Sequence, residues 1–234
     1  MYDIEKYNQM MQGLKGGIIV SCQSTEGDPT HCPEFMAAFA QSAQRGGAAG
    51  IRANSVVDIE AIKKKVDLPV IGIWKRHVVD EWWNLMITPT FEDCRQLAEA
   101  GSDIIAIECT PRKRPNNEDV KELVWRVQNE LNVPVMADCH DFEDVMRTDA
   151  DIVAPTLSGV GSEEDYMPPF ALLEKMVKEQ PRPVIAEGHF WEPAYVERAF
   201  GLGVHSIVIG SAITRPWLIT ERFVKACPQG KAAA

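Results

Sequence analysis

The stretch Pro183-Val-Ile-Ala-Glu-Gly-His-Phe-Trp-Glu-Pro-Ala-Tyr-Val-Glu-Arg-Ala-Phe-Gly-Leu-Gly-Val-His-Ser-Ile-Val-Ile-Gly210 holds the plan of the whole chain in miniature. Its short apolar run at 183–187 predicts a buried strand, 192–202 an amphipathic helix, and 204–210 a second buried strand. Outward from this unit the rhythm repeats towards the N-terminus. Strands are expected at 17–23, 48–54, 69–75, 103–109, 133–138 and 151–156. The helices that follow them are expected at 34–45, 56–66, 91–101, 118–131, 141–148 and 169–179. Gly46 and Gly47 supply a left-handed stop for the first of these helices. One more helix is expected at about 1–15, another at 218–227, and a frayed tail at 228–234.

Near-continuous Val, Ile and Leu runs are what strands buried on both faces need, so the sheet should be parallel and covered by helices. Eight such units in 234 residues predict an α/β fold, one (β/α)8 TIM barrel domain. An open doubly wound sheet is the alternative, but no glycine fingerprint of the dinucleotide-binding kind follows the first strand.

Composition narrows the function. Hydrophobic residues at 45% and charged ones at 25% describe an ordinary globular protein. A net charge of −10 argues against nucleic acid as a partner, and the local cluster Arg112, Lys113, Arg114 does not reverse that. No run approaches the roughly 20 apolar residues of a membrane span, and the first twelve residues lack the apolar core of a signal peptide, so a cytoplasmic location without membrane contact is expected. The six cysteines form no Cys-x-x-Cys pair and the five histidines show no metal-ligand spacing, so no metal is expected and the thiols read as small buried hydrophobes.

In a β/α barrel the chemistry sits at the C-terminal strand ends, where side chains converge on one cavity. Polar residues at or around those ends are expected to be Gln23, Arg52, Asn54, Lys75, Glu108, Asp138, Thr156, Ser158, Glu187, and His205 with Ser211 around the last strand. Gly188 after the seventh strand, and Gly210 with Ser211 after the eighth, offer unhindered N–H groups where barrels hold phosphate; Arg215 adds a charged fork. Lys75 closes an apolar strand. Desolvation and the neighbouring Arg52 should lower its pKa, leaving a neutral amine for proton transfer or Schiff-base chemistry, unless it is paired with a carboxylate. Glu187 and Asp138 fit either proton carriers or a structural ion-pair network. Arg52 and Gln23 supply donors for substrate oxygens. The Trp82-Trp83 pair fits a lid over a sugar or a contact with a second copy in a homodimer.

Several segments in order along the chain also resemble a known family. They are Gly-Gly-Ile-Ile-Val-Ser-Cys-Gln (16–23), Gly-Ile-Arg-Ala-Asn-Ser (50–55), Leu-Pro-Val-Ile-Gly-Ile-Trp-Lys (68–75) and Ile-Thr-Pro-Thr (87–90). Arg-Lys-Arg-Pro (112–115), Met-Ala-Asp (136–138), Thr-Leu-Ser-Gly (156–159), Ile-Ala-Glu-Gly (185–188) and Gly-Ser-Ala-Ile-Thr-Arg-Pro (210–216) complete the set. Together they resemble N-acetylmannosamine-6-phosphate 2-epimerases. The resemblance implies a barrel of the ribulose-phosphate-binding type that interconverts N-acetylmannosamine 6-phosphate and N-acetylglucosamine 6-phosphate in sialic acid breakdown, without cofactor. It implies Lys75 and Glu187 as catalytic residues, Gln23, Arg52, Glu108, Asp138 and Ser158 at the sugar, and Gly188, Gly210, Ser211 and Arg215 at the phosphate. Glu108 stands where the family usually has Asp, and the loop at 76–86 departs from the usual pattern. The alternatives are a Schiff-base aldolase using Lys75, a pentose-phosphate epimerase, which calls for metal-ligating histidines not seen here, or a sugar-phosphate sensor.

Overall fold

The computed structural model describes residues 2–78, 84–159 and 167–228. Among them eight parallel strands form the barrel: β1 Ile18–Cys22, β2 Gly50–Asn54, β3 Val70–Ile73, β4 Ile104–Glu108, β5 Val135–Asp138, β6 Ile152–Ala154, β7 Ile185–Ala186 and β8 Ser206–Ile209. Neighbours run β6-β5-β4-β3-β2-β1-β8-β7, and a parallel bridge between Val153 and Val184 joins the two ends. Helices α1 Ile4–Leu14, α2 Pro33–Arg45, α3 Val56–Lys63, α4 Phe91–Glu99, α5 Val120–Arg126, α6 Phe142–Val145, α7 Phe170–Glu179 and α8 Pro193–Leu202 alternate with the strands. Helices α9 Ser211–Thr214 and α10 Pro216–Ala226 follow β8. The expected (β/α)8 barrel is therefore the fold.

Each strand divides its residues between two apolar layers by its period of two. Ile19, Ile71, Ile104, Ala106, Met136, Ile152, Ile185 and Val208 fill the barrel interior. Their neighbours Val20, Ile51, Ile105, Ala137, Val153 and Ile207 pack outward against the helices. Because both layers are apolar, the alternation is invisible as polarity and the strands read as unbroken hydrophobic runs. Met11 and Leu14 of α1 join the interior layer, so this helix plugs the N-terminal end of the barrel. Burying Leu14 there contributes about 1.5–3 kcal/mol. His205 Nε2 lies 2.8 Å from the Met11 carbonyl oxygen, which ties α1 to the start of β8 and puts His205 at the closed end.

The local departures from expectation have physical reasons. Strand β3 stops at Ile73, and the chain turns into a short antiparallel pair, Lys75–His77 with Leu85–Ile87. Three residues per strand, with Arg76 and His77 exposed, leave no periodic signal to read. The helix expected at 118–131 starts at Val120 on an Asp119 cap and widens into a π-turn at Val127–Leu131, ended by left-handed Asn132. The helix expected at 141–148 shortens to α6, capped by Asp141. Cys22, Cys94, Cys109 and Cys139 are buried, and burial pushes the Cys22 and Cys109 thiols up to about 12, the behaviour of inert core cysteines. Trp82 and Trp83 lie outside the described residues.

Candidate active site

At the C-terminal end the interior register passes from apolar to charged side chains. On β2, Ile51 and Ala53 face outward, so Arg52 between them points into the barrel, where it is 1% exposed. Its guanidinium grips Asp138 from the end of β5 in a two-pronged pair, Nη1 to Oδ1 at 3.1 Å and Nη2 to Oδ2 at 2.6 Å. The same Nη1 lies 3.1 Å from Glu187 Oε2, just beyond β7. Thr156 Oγ1, two residues past β6, donates to Asp138 Oδ1 at 2.5 Å and sits 3.3 Å from Glu187 Oε2. Buried charges persist only when paired and hydrogen-bonded, and this lattice supplies both conditions. Burial opposes the charged guanidinium, but Asp138 and Glu187 together hold Arg52 above its ordinary range. Burial pushes the Glu187 carboxyl up, against the opposing pull of Arg52.

Lys75 enters the cavity from the residue that opens the short antiparallel pair. Its backbone N–H donates to Asn54 Oδ1 at 2.9 Å, and the preceding Trp74 N–H donates to Thr88 Oγ1 at 3.0 Å. Main chain pinned on both sides fixes where the amine can reach. The amine itself makes no hydrogen bond or ion pair with another described residue. Desolvation, reinforced by Arg52 and Arg215, brings it down to about 8, although Glu187 and Asp138 pull the other way. A substantial neutral fraction therefore exists near neutral pH.

The same cavity, about 290 Å³, runs from Lys75 and Glu187 to Gly210, Ser211 and Arg215. Gly188, at φ +104°, turns the chain here in a conformation that favours glycine. Gly210 backs onto Ser21, and Thr214 Oγ1 donates to the Ser21 carbonyl at 2.8 Å, which locks the turn against β1. The N–H groups of Ile213 and Thr214 point back to the Gly210 carbonyl, while those of Ser211 and Ala212 have no acceptor among the described residues. Among the described residues no carboxylate pairs with Arg215. Free amides beside an unpaired guanidinium are the chemistry of an anion cradle.

The structure gathers Gln23, Lys75, Glu187, Gly188, Gly210, Ser211 and Arg215 on this one cavity, with Arg52 and Asp138 directly behind Glu187. Gln23 Nε2 donates to Ser21 Oγ at 2.7 Å, leaving its amide oxygen for other partners. Two expected sugar contacts are placed differently. Ser158 sits in the turn after β6, its N–H on the Pro155 carbonyl, and is not part of the cavity wall. Glu108 is fully buried at the end of β4, with its carboxylate accepting from the Ile87 N–H, Thr110 and Arg112. Arg112 also donates to the Leu85 carbonyl and Arg114 to the Pro89 carbonyl, so the Arg-Lys-Arg-Pro motif clamps the 85–89 segment to β4. Thr156, expected as a polar strand end but given no role, and Ser21, given none either, also line the cavity. The signal for Thr156 was its position two residues beyond an interior-facing alanine, which keeps it in the inward register.

Comparison with known proteins points the same way as this geometry. A family model described as "Putative N-acetylmannosamine-6-phosphate epimerase" matches residues 36–229. A relative from Clostridioides difficile, carrying the same description with "2-epimerase", is 46% identical over 93% of this chain and 98% of its own length. The chain belongs to the N-acetylmannosamine-6-phosphate 2-epimerase family. A family member from Listeria monocytogenes is 40% identical over 92% of this chain and 96% of its own. The solved N-acetylmannosamine-6-phosphate 2-epimerase from Clostridium perfringens is 40% identical, with a TM-score of 0.87 over 93% of this chain and 96% of that one. A geranylgeranylglyceryl phosphate synthase from Thermoplasma acidophilum, 17% identical with a TM-score of 0.57 over 92% of each chain, shares the barrel with the epimerase family and nothing finer.

Proposed function

We propose that this chain interconverts N-acetylmannosamine 6-phosphate and N-acetylglucosamine 6-phosphate by moving one proton at C2, as a step of sialic acid breakdown. One observation carries the reading: a single cavity has two proton carriers, Lys75 and Glu187, at one end and an open anion cradle around Arg215 at the other. In the ring-opened sugar the C1 carbonyl acidifies the adjacent C2–H. The neutral Lys75 amine removes or returns that proton and, when charged, stabilises the enolate oxygen. Glu187 acts from the other side of C2 or through a substrate hydroxyl, steadied by Arg52 and Asp138. The phosphate, held by Gly188, Gly210, Ser211 and Arg215, fixes the far end so that C2 lies between the carriers. In this reading both proton carriers are side chains, and the charged Lys75 amine supplies the enolate stabilisation that a metal would otherwise give.

Lys75→Met should abolish deuterium incorporation at C2 in heavy water while phosphosugar binding stays measurable by calorimetry. Retained exchange would sink the assignment of Lys75. Borohydride trapping with substrate separates this reading from a Schiff-base aldolase, which would be captured as a covalent adduct on Lys75.

No helix among the described residues is long and apolar enough to cross a membrane. A phosphorylated sugar stays in the compartment that makes it, so we place the enzyme in the cytoplasm. We also propose a homodimer, supported by α10, which leaves Phe223 73% and Val224 51% exposed. Light scattering should give twice the 26.1 kDa chain mass; a monomer at micromolar concentration would contradict it.

A further inference from the structure

Resting on the function proposed above, we propose that the Thr156 hydroxyl is a catalytic group that hands a proton between Glu187 and Asp138. Its oxygen lies 2.5 Å from Asp138 Oδ1 and 3.3 Å from Glu187 Oε2, and it also lines the substrate cavity. A threonine hydroxyl has one hydrogen and two lone pairs. While that hydrogen points to Asp138, a lone pair faces Glu187, so a protonated Glu187 donates to Thr156 as Thr156 donates to Asp138.

The step balances. The Glu187 O–H breaks as its proton reaches Thr156 Oγ1, and the Thr156 O–H breaks as its own proton reaches Asp138. The hydroxyl is regenerated, Glu187 becomes a carboxylate, Asp138 a carboxylic acid, and no other reagent takes part. The reverse step reloads Glu187.

The surroundings leave few other routes. Asp138 is 0% exposed and meets no solvent. Its other partner, Arg52, bridges both carboxylates but keeps its protons at any working pH. Glu187 meets charged or titratable groups from every side: Arg52 from β2, Lys75 past β3, Asp138 from β5, and His189 in its own loop. Burial pushes the Glu187 carboxyl up, against the opposing pull of Arg52. The hydroxyl between the two carboxylates is the path along which a proton can shift from one to the other. An enzyme that returns protons to either face of C2 needs Glu187 in both states during a cycle, and the relay gives its proton a second seat on the fully buried Asp138.

The test compares Thr156→Val, which keeps shape and removes the hydroxyl, with Thr156→Ser, which keeps the hydroxyl. Thermal unfolding first checks that each variant is folded. The relay predicts that T156V loses roughly 10- to 100-fold in kcat, with KM within about threefold. Its acid limb should move to lower pH, because protonated Glu187 loses the lone pair to which it donates. T156S should stay within a few fold of the parent in rate and share its pH profile. A T156V enzyme with parental kcat and an unmoved acid limb overturns the relay, as does a T156S enzyme impaired as severely as T156V. Failure of the underlying function looks different: there the parent itself forms no gluco epimer. Carboxyl carbon NMR of Glu187 reads the same hydrogen bond without turnover, and its midpoint should fall in T156V; an unchanged or raised midpoint overturns the relay.

Discussion

Arg215 lines the cavity and Arg52 lies behind its wall at Glu187, and their surroundings are opposite. Arg52 is 1% exposed and meets two carboxylates, Asp138 and Glu187. Arg215 is partly exposed and meets no carboxylate among the described residues, only the glycine-rich turn that carries it. The difference separates a cation already paired inside the barrel from one without a carboxylate partner; in the proposed function the first organises the carboxylates and the second takes the phosphate. Arg52 is already neutralised, so an incoming phosphate gains little from it; Arg215 is not, so a phosphate dianion gains most there.

Breaking the paired cation should have the larger effect. Arg52→Met leaves Asp138 and Glu187 facing each other without a counter-charge, and removing one partner of a buried pair costs about 3–5 kcal/mol. In a chain of this length that lowers the melting temperature by roughly 6–20 °C, which calorimetry would show. Activity should fall with it, because Glu187 loses the pull that keeps it ionisable. A stable, active R52M would mean that the two carboxylates do not depend on this arginine.

Removing the open cation should leave the fold intact and act on binding. Arg215→Ala should raise KM about 10- to 100-fold, the worth of a charge-assisted hydrogen bond, with kcat changed far less. The same variant sharpens the link between the two ends. With Lys75 working as a free amine, kcat/KM should climb as pH rises through about 8. Arg215 helps to hold that amine down, so R215A should move the climb towards higher pH by less than about one unit. A climb that stays put, or moves lower, would separate the two ends electrostatically.

The smallest effect is expected from the turn beneath the open cation. A Cβ at Gly210 would stand 3.3 Å from the Ser21 Cβ, tighter than ordinary contact but relieved by a slight shift. Gly210→Ala should therefore cost only about two- to fivefold in KM. A loss as large as that of R215A would make the turn, not the arginine, the main phosphate contact.

Most of the fold was legible because each strand–helix unit is set by local pattern. Eight apolar runs separated by amphipathic segments leave little besides a barrel, and the strand ends then nominate the site. Lys75, Arg52, Asp138 and Glu187 were nominated by position alone, and the structure brings them together at one end of the barrel. What escaped depended on contacts between distant segments. The antiparallel pair at Lys75–His77 and Leu85–Ile87 is held by Glu108 and Arg112 rather than by its own propensity. Glu108 was expected at the sugar because it closes its strand at the C-terminal end, where the resembled family usually has Asp. Its carboxylate instead reaches the Ile87 N–H and Arg112, a choice visible only once the clamp is assembled. Thr156 was noted as a polar strand end but given no role, because a threonine near an apolar run reads as an ordinary β-branched strand residue.

The most direct test is a proton NMR time course of N-acetylmannosamine 6-phosphate with the purified protein in heavy water. The account predicts growth of N-acetylglucosamine 6-phosphate carrying deuterium at C2, with deuterium also entering the remaining manno sugar. A folded protein that forms no gluco epimer, or forms it with the original C2 hydrogen retained, contradicts the account.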